Sequence, residues 1–482
     1  MTETSRNTKI GLVVLCLGLI IWGLTDVRQR AHFDPVLAEK DWRVIMKHRT
    51  DLTVFTEAGA AFFDGRNPYE VTNPRGWMYL YPPLFAILIA PLHSLPPQWQ
   101  GVTWYFLSLA MVWGCYRETA RLLCRVRVSE FSGGKDTAKT LRWILFAGLI
   151  AILFPTLDCL QRGQLGVLLL YLILLGFRLV LVGSSWQKAA TGGLVLALSI
   201  VFKVIPALPV FFLIIFLWVR RLRNPEGADG VSRLAGTGGG VLAGLILFLW
   251  IVPSLFIGWQ ANTGHLKTWS RLVGTQAVEA GSEAHFSNPR GPRNQSLSNA
   301  LYHTGNQLAF WFSEDPEPNP SLYKETEGRV MTSPIATKTV LATRVLLCLL
   351  LIPVGWRMAA RGDPLDVAAA FGMASMALLI VSPVSRGHYF MLEWPAVLFV
   401  SLWVWKHSGS QKAFLCAGIP AALSVMHYAF ITLPQMLGPL QVGTLLLGTL
   451  GIGTALWYGG MAYVLSTASS FGDSSVPENP DL

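Results

Sequence analysis

Apolar runs of near-spanning length recur from Ile10 to Ala468, parted by short polar joints, and this pattern constrains the fold more than any other feature of the chain. Each crossing of a bilayer core takes roughly 20 residues of helix, and inside hydrocarbon a helix satisfies its own backbone hydrogen bonds. Of the 482 residues, 52% are hydrophobic and only 14% charged, whereas soluble domains carry about 25% charged residues. With a mean hydropathy of +0.45, the chain reads as an all-α polytopic membrane protein and not as a soluble fold.

The formal charge of +10 does not call for a nucleic-acid partner, because the basic residues fall in the joints. One basic joint runs from Arg117 to Arg142 and another from Arg220 to Arg233. This is the positive-inside pattern, and it orients the chain with both termini in the cytoplasm. If residues 81–97 also spanned, the Arg117 to Arg142 joint would face outward. The Tyr81 to Leu95 segment, opened by two prolines, is therefore expected to be a short helix in or against the outer leaflet.

Spans are then expected near residues 10–25, 99–117, 141–157, 165–182, 188–203, 205–219, 234–258, 338–356, 366–383, 389–405, 413–432 and 440–465, a bundle of about twelve transmembrane helices. The expected organisation is one integral-membrane domain over residues 1–468, with a cytoplasmic tail at 469–482. Residues 26–98 form a first extracytoplasmic loop with interfacial amphipathic helices, and 259–337 a long second one. The first apolar run follows Arg6 and Lys9 like a signal peptide, but without an Ala-x-Ala site it is read as an uncleaved anchor.

No cofactor is expected. The glycine-rich stretch Gly236 to Gly240 opens an apolar run instead of following a strand, and the six cysteines show no metal-ligand or redox spacing. They read as small buried hydrophobes.

Against this apolar background the polar residues of the outer face point to an active site at the membrane surface. Asp51 begins a stretch in which Leu52, Phe55, Gly59, Phe62 and Phe63 recur at helical spacing until Gly65 and Asn67-Pro68 stop it. An aspartate there can cap the helix or take a proton from a hydroxyl; both readings stand. Glu57, two turns in, is a competing carboxylate that reads as part of a solvated face or as the support of a neighbouring cation, and Asp64 before Gly65 is turn chemistry. Lys203 interrupts an apolar run just before Pro206, where a charge is functional or snorkels to the interface. Arg162, Arg386, His388, Arg290 and Arg293 are further cations on the same face that could hold a phosphate.

The order of these motifs resembles glycosyltransferase family 87. The resemblance rests on Asp51-Leu52-Thr53-Val54-Phe55, Gly65-Arg66-Asn67-Pro68-Tyr69, Tyr81-Pro82-Pro83-Leu84, Gly163-Gln164, Lys203 with Pro206, Asn294-Gln295-Ser296-Leu297, and Ser382-Pro383-Val384-Ser385 with His388. It implies a bundle of the GT-C superfold, similar to mannosyltransferases that use polyprenyl-phosphate mannose, with Asp51 at the position of the catalytic aspartate. Glu57, Tyr69, Tyr81, Arg162, Gln164, Lys203, Asn294, Gln295 and His388 are the expected substrate-binding residues. The chain departs from the family pattern at Gly166, where an asparagine is usual, and at Arg386 and Tyr389, where a tryptophan and a second histidine are usual.

The expected function is inverting transfer of a hexose, with mannose foremost, from a polyprenyl-phosphate-sugar donor to a lipid-linked or cell-envelope glycan acceptor at the extracytoplasmic face. The alternative is a transporter or flippase of lipid-linked sugars. A transporter gathers polar groups near the midplane of several helices, whereas here they gather at one face. Membrane lipids are the remaining partners.

Overall fold

The computed structural model describes residues 50–72, 78–125, 152–183, 185–223, 228–278, 294–297, 299–301, 334–361, 364–382 and 385–398, with single positions between 14 and 25 and between 453 and 462. Among the described residues the protein is helical and has no strand; extended pairing is limited to two isolated bridges, Thr72 with Met78 and Asn294 with Arg386. Helix α1 spans Thr50–Phe63, α2 Pro83–Ile89, α3 Pro97–Arg125, α4 Leu153–Arg162, α5 Gly166–Val182, α6 Trp186–Phe202 and α7 Ala207–Arg223. Helix α8 runs Ala228–Ile246, passes through a π-helical turn at Leu247–Ile251 and continues as α9, Val252–Ile257. Beyond lie α10 Trp259–Val278, α11 Pro334–Leu349, α12 Leu351–Arg361 and α13 Pro364–Val381.

Two helices, Gly230–Ile257 and Lys338–Ala359, are long and apolar enough to cross a membrane. The apolar helices Gly166–Val182 and Trp186–Phe202 are shorter. The helices at the expected spans 165–182, 188–203, 205–219 and 366–383 lie within a few residues of those bounds. The expected span 389–405 instead begins in a 3-10 helix, Gly387–Glu393. The expected spans 413–432 and most of 440–465, and the tail 469–482, lie outside the described residues.

Close helix packing, not bulky side chains alone, builds the bundle. Helices α6 and α8 lie along one another, and a Cβ on Gly193 would collide with the Thr237 carbonyl and one on Gly240 with the Ala190 carbonyl. Small residues let helix backbones approach in a medium where water cannot drive association, which gives the glycine-rich start of α8 its role.

Along helix α1 the less buried residues Thr53, Glu57 and Ala60 share one face. Leu52, Val54, Phe55, Ala58, Ala61 and Phe62 are all buried, and Phe63 is the exposed apolar residue at its end. The buried face is covered by α2 and its 3-10 extension Ala90–Ser94, which pack against α1. Thr56 Oγ1 also reaches Gln100 Oε1 on α3 at 3.0 Å. With its extension, α2 covers about 20 Å, too short for a core of about 30 Å. That agrees with a helix that does not span.

Candidate active site

Four stretches of chain converge at one end of the bundle. The first is the start of α1. Asp51 lies within the first turn, 5% exposed, and its Oδ2 is buried without a hydrogen-bond partner. The second is the tight turn from α4 into α5. Gly163 adopts φ 68 there, the left-handed region that favours glycine, and a Cβ on it would come within 2.8 Å of Leu52 Cβ. This approach sets Gln164 next to the start of α1, buried and with Oε1 unpartnered.

The expected spans 141–157 and 165–182 leave Asp158 to Gln164 as a joint between them, but Asp158 through Arg162 are helical. The i, i+4 spacing brings Arg162 Nε 2.7 Å from Asp158 Oδ1. His388 approaches from the other side, with Nδ1 3.4 Å from Asp158 Oδ2. That contact is electrostatic, since neither imidazole nitrogen is aligned in a hydrogen bond. Burial alone would raise the Asp158 carboxyl, but the Arg162 guanidinium and the His388 ring outweigh it and hold the carboxyl well below its usual range. Burial lowers the His388 imidazole, assisted by Arg162 and Lys203 against the pull of Asp158. Asp51 adds to the field that keeps Arg162 charged.

The third stretch is the break between α6 and α7. Lys203 caps α6 in an extended conformation, φ −163, and is buried, not snorkelling. Its Nζ lies 3.0 Å from the hydroxyl of Tyr81 and 2.9 Å from that of Tyr389. It also stands 4.2 Å from the centre of the Tyr389 ring. The Tyr81 phenol is pushed up to about 12 by burial, against the pull of Lys203, so it stays protonated at neutral pH.

An aromatic scaffold positions Tyr81. Its ring meets Phe55 at 5.4 Å and Tyr79 at 5.7 Å between centroids. The Tyr79 hydroxyl donates to Pro82 O and accepts from Ala86 N, satisfying a backbone N–H in the first turns of α2 that lacks an intrahelical partner. Tyr69, set by the turn at Gly65 (φ 70) and the Asn67 cap, donates its hydroxyl to Tyr81 O at 3.2 Å. Tyr69 therefore supports the site from behind. The Trp269 indole on α10 donates to the neighbouring Leu80 carbonyl at 3.1 Å.

The fourth stretch joins Asn294 to the segment before His388. Asn294 Oδ1 accepts from Ser385 N at 2.8 Å and from Ser296 N at 3.1 Å, and Gln295 N donates to Ser385 O at 2.7 Å. Asn294 and Gln295 are fully buried. Asn294 thus acts as a lock that fixes the backbone leading into His388.

Glu57 is not brought into this cluster. Its side chain is 41% exposed and its Oε1 lies 3.7 Å from His93 Nδ1. Asp64 pairs with Arg66 at 2.8 Å, as turn chemistry predicts. Asp158 and Tyr389 are the residues that the sequence reading did not assign. The i, i+4 pairing with Arg162 was a usable signal for the first; nothing local marks the second. Arg290 and Arg293 lie outside the described residues.

A buried carboxylate, two cations and a histidine lie at one end of an apolar helical bundle of membrane character. The chain belongs to glycosyltransferase family 87, whose sequence model matches residues 79–383, more than half its length. That membership decides between the transferase and transporter readings in favour of glycosyl transfer. Asp51 lies upstream of the matched residues. The chain has no significant match among curated proteins or among solved structures.

Proposed function

We propose that the protein is an inverting hexosyltransferase that takes its sugar, mannose foremost, from a polyprenyl-phosphate donor and passes it to a lipid-linked or cell-envelope glycan at the extracytoplasmic face. Asp51 accepts the proton of the acceptor hydroxyl as that oxygen bonds to the anomeric carbon. The bond from the anomeric carbon to the phosphate oxygen breaks, and its electron pair leaves with the lipid phosphate. Lys203, Arg162 and His388 stabilise that anion, the imidazole as a neutral N–H donor. Lys203 is the foremost of these, because the Nε of Arg162 is already engaged by Asp158.

The observation that carries this reading is the set of buried polar atoms at the site without partners: Asp51 Oδ2, Gln164 Oε1 and both nitrogens of His388. Unpaired buried polar groups are costly, and a sugar hydroxyl or a phosphate oxygen supplies what each lacks. A lipid donor also suits a site at the end of apolar helices, since its tail can remain in the bilayer while its phosphate meets Lys203.

The direct test incubates the purified protein with radiolabelled polyprenyl-phosphate mannose and lipids extracted from its own host. Label moved into a lipid or glycan product supports the proposal. Transfer from a nucleotide sugar, with none from the lipid donor, overturns it.

A further inference from the structure

On the basis of the sugar transfer proposed above, we infer that Trp104 and Gln164 together hold one hydroxyl group of a sugar beside Asp51, the indole as donor and the amide carbonyl as acceptor. Trp104 lies near the start of α3, and three contacts bring it to the site. A Cβ on Gly163 would stand 3.6 Å from Trp104 Cδ1, the ring carbon bonded to Nε1, and 3.6 Å from the backbone nitrogen of Leu52. The indole, the peptide that follows Asp51 and the turn that carries Gln164 therefore meet at one place.

One helical turn away, the Thr56 hydroxyl donates to Gln100 Oε1 at 3.0 Å. Thr56 is i+4 from Leu52 and Gln100 is i−4 from Trp104, so each pair shares a helix face and those faces of α1 and α3 meet. The Phe85 ring packs 6.0 Å from Trp104 and 5.5 Å from Phe202, the neighbour of Lys203. Helix α5 leaves this end of the bundle from the Gly163 turn and α6 returns to it at Lys203.

Trp104 is 5% exposed and its Nε1 has no hydrogen-bond partner. A buried indole N–H ordinarily finds one, as those of Trp394 and Trp269 do on Thr119 Oγ1 at 2.8 Å and Leu80 O at 3.1 Å. Packing thus explains the ring of Trp104 but not its open donor. In the same region Gln164 Oε1 and Asp51 Oδ2 are buried acceptors without donors. An indole only donates and a carbonyl oxygen only accepts, so leaving both open suits a group that does both. A hydroxyl is such a group, whereas an ionised phosphate brings no proton to Gln164. Asp51 is taken by the hydroxyl that attacks, which leaves Trp104 and Gln164 for a second hydroxyl that is held and does not react.

Binding of polyprenyl-phosphate mannose, polyprenyl phosphate and dodecyl mannoside to the full-length protein in lipid nanodiscs tests the pair. Trp104→Phe keeps an aromatic ring and removes the N–H; Gln164→Met keeps the length and removes the carbonyl. Each is expected to weaken a mannose-bearing ligand about fivefold, the worth of one hydrogen bond, and to leave polyprenyl phosphate bound as in wild type. The double variant should lose little more than either alone, because both bonds go to one hydroxyl. Weakening toward polyprenyl-phosphate mannose assigns that hydroxyl to the donor, and weakening confined to dodecyl mannoside assigns it to the acceptor. Mannose-bearing ligands bound as in wild type by both variants overturn the pair. So does equal weakening of all three ligands, which marks a merely structural role, and so do losses that multiply in the double variant. Wild type that binds dodecyl mannoside through the pair but neither polyprenyl lipid keeps the pair and overturns the lipid-phosphate donor. Should Trp104→Phe not fold, monodeoxy mannosides decide: one of them should lose about fivefold in wild type and nothing further in Gln164→Met.

Discussion

The ammonium of Lys203 lies 2.9 Å from the phenolic oxygen of Tyr389, although 186 positions separate them in the chain. With Tyr81 on its other side, Lys203 has hydroxyl partners and, among the described residues, no carboxylate, so its positive charge remains available to an anionic substrate. Lys203→Met is expected to weaken donor binding while protein abundance stays near normal. Tyr389→Phe should lower donor affinity about fivefold, the value of one hydrogen bond near a charge. Added to Lys203→Met it should cost almost nothing more, because the two act as a unit. Donor affinity unchanged in Lys203→Met would leave Arg162 and His388 as the phosphate contacts.

Asp51→Asn should reduce turnover by about two to four orders of magnitude, the usual contribution of a positioned base. The melting temperature should stay close to wild type, because the amide keeps the size of the side chain. Near-normal turnover of the folded variant would sink the assignment of Asp51. Glu57→Gln is expected to leave turnover almost intact, since Glu57 faces His93.

Acid should destabilise the protein in two stages. Burial lowers the folded-state value of His388, so the unfolded chain takes up that proton first, near its ordinary value of about 6.5. Stability is fully present above that pH and is lost as pH falls through the lowered folded value. Asp158, also held low, keeps its contribution above about pH 4 and loses it only as the pH falls further through its folded value. Melting temperatures at pH 7, 6 and 5 should therefore fall more steeply for wild type than for His388→Gln. Equal slopes would refute this account.

Asn294→Ala should destabilise the site without touching a reacting atom. It leaves the buried N–H groups of Ser385 and Ser296 without their shared acceptor, at a cost of about 1–3 kcal/mol for each unsatisfied group. A lower melting temperature with reduced turnover is expected. A melting temperature equal to that of wild type would show that the lock is dispensable.

Topology can be read by labelling. In a background lacking reactive native cysteines, Arg66→Cys should react with an impermeant thiol reagent from outside, and Lys188→Cys only after the membrane is opened. Both residues are exposed and belong to opposite ends of the bundle. Labelling of both from one side would contradict the non-spanning role given to α2.

Much of the architecture was legible because its causes are local. Helix α1 stops at the Gly65 turn, the prolines at 82 and 83 open α2, and Lys203 with Pro206 marks the break between α6 and α7. The spacing of α1 marked which of its faces is buried, with Thr53, Glu57 and Ala60 left on the less buried side, but not that α2 is what covers the other. Glu57 was a competing carboxylate along the chain, and packing leaves it part-exposed with Oε1 3.7 Å from His93 Nδ1.

The sequence by itself determined the helical, membrane-compatible character of the chain, the turns that divide it, and the family whose ordered motifs it carries, since each depends on composition or on residues close in the chain. Tertiary structure decided which polar groups meet. Asp158 against His388, Tyr389 against Lys203, and Asn294 beneath Ser385 are contacts between segments far apart in the chain, set by how the helices pack, and local spacing contains no record of that geometry.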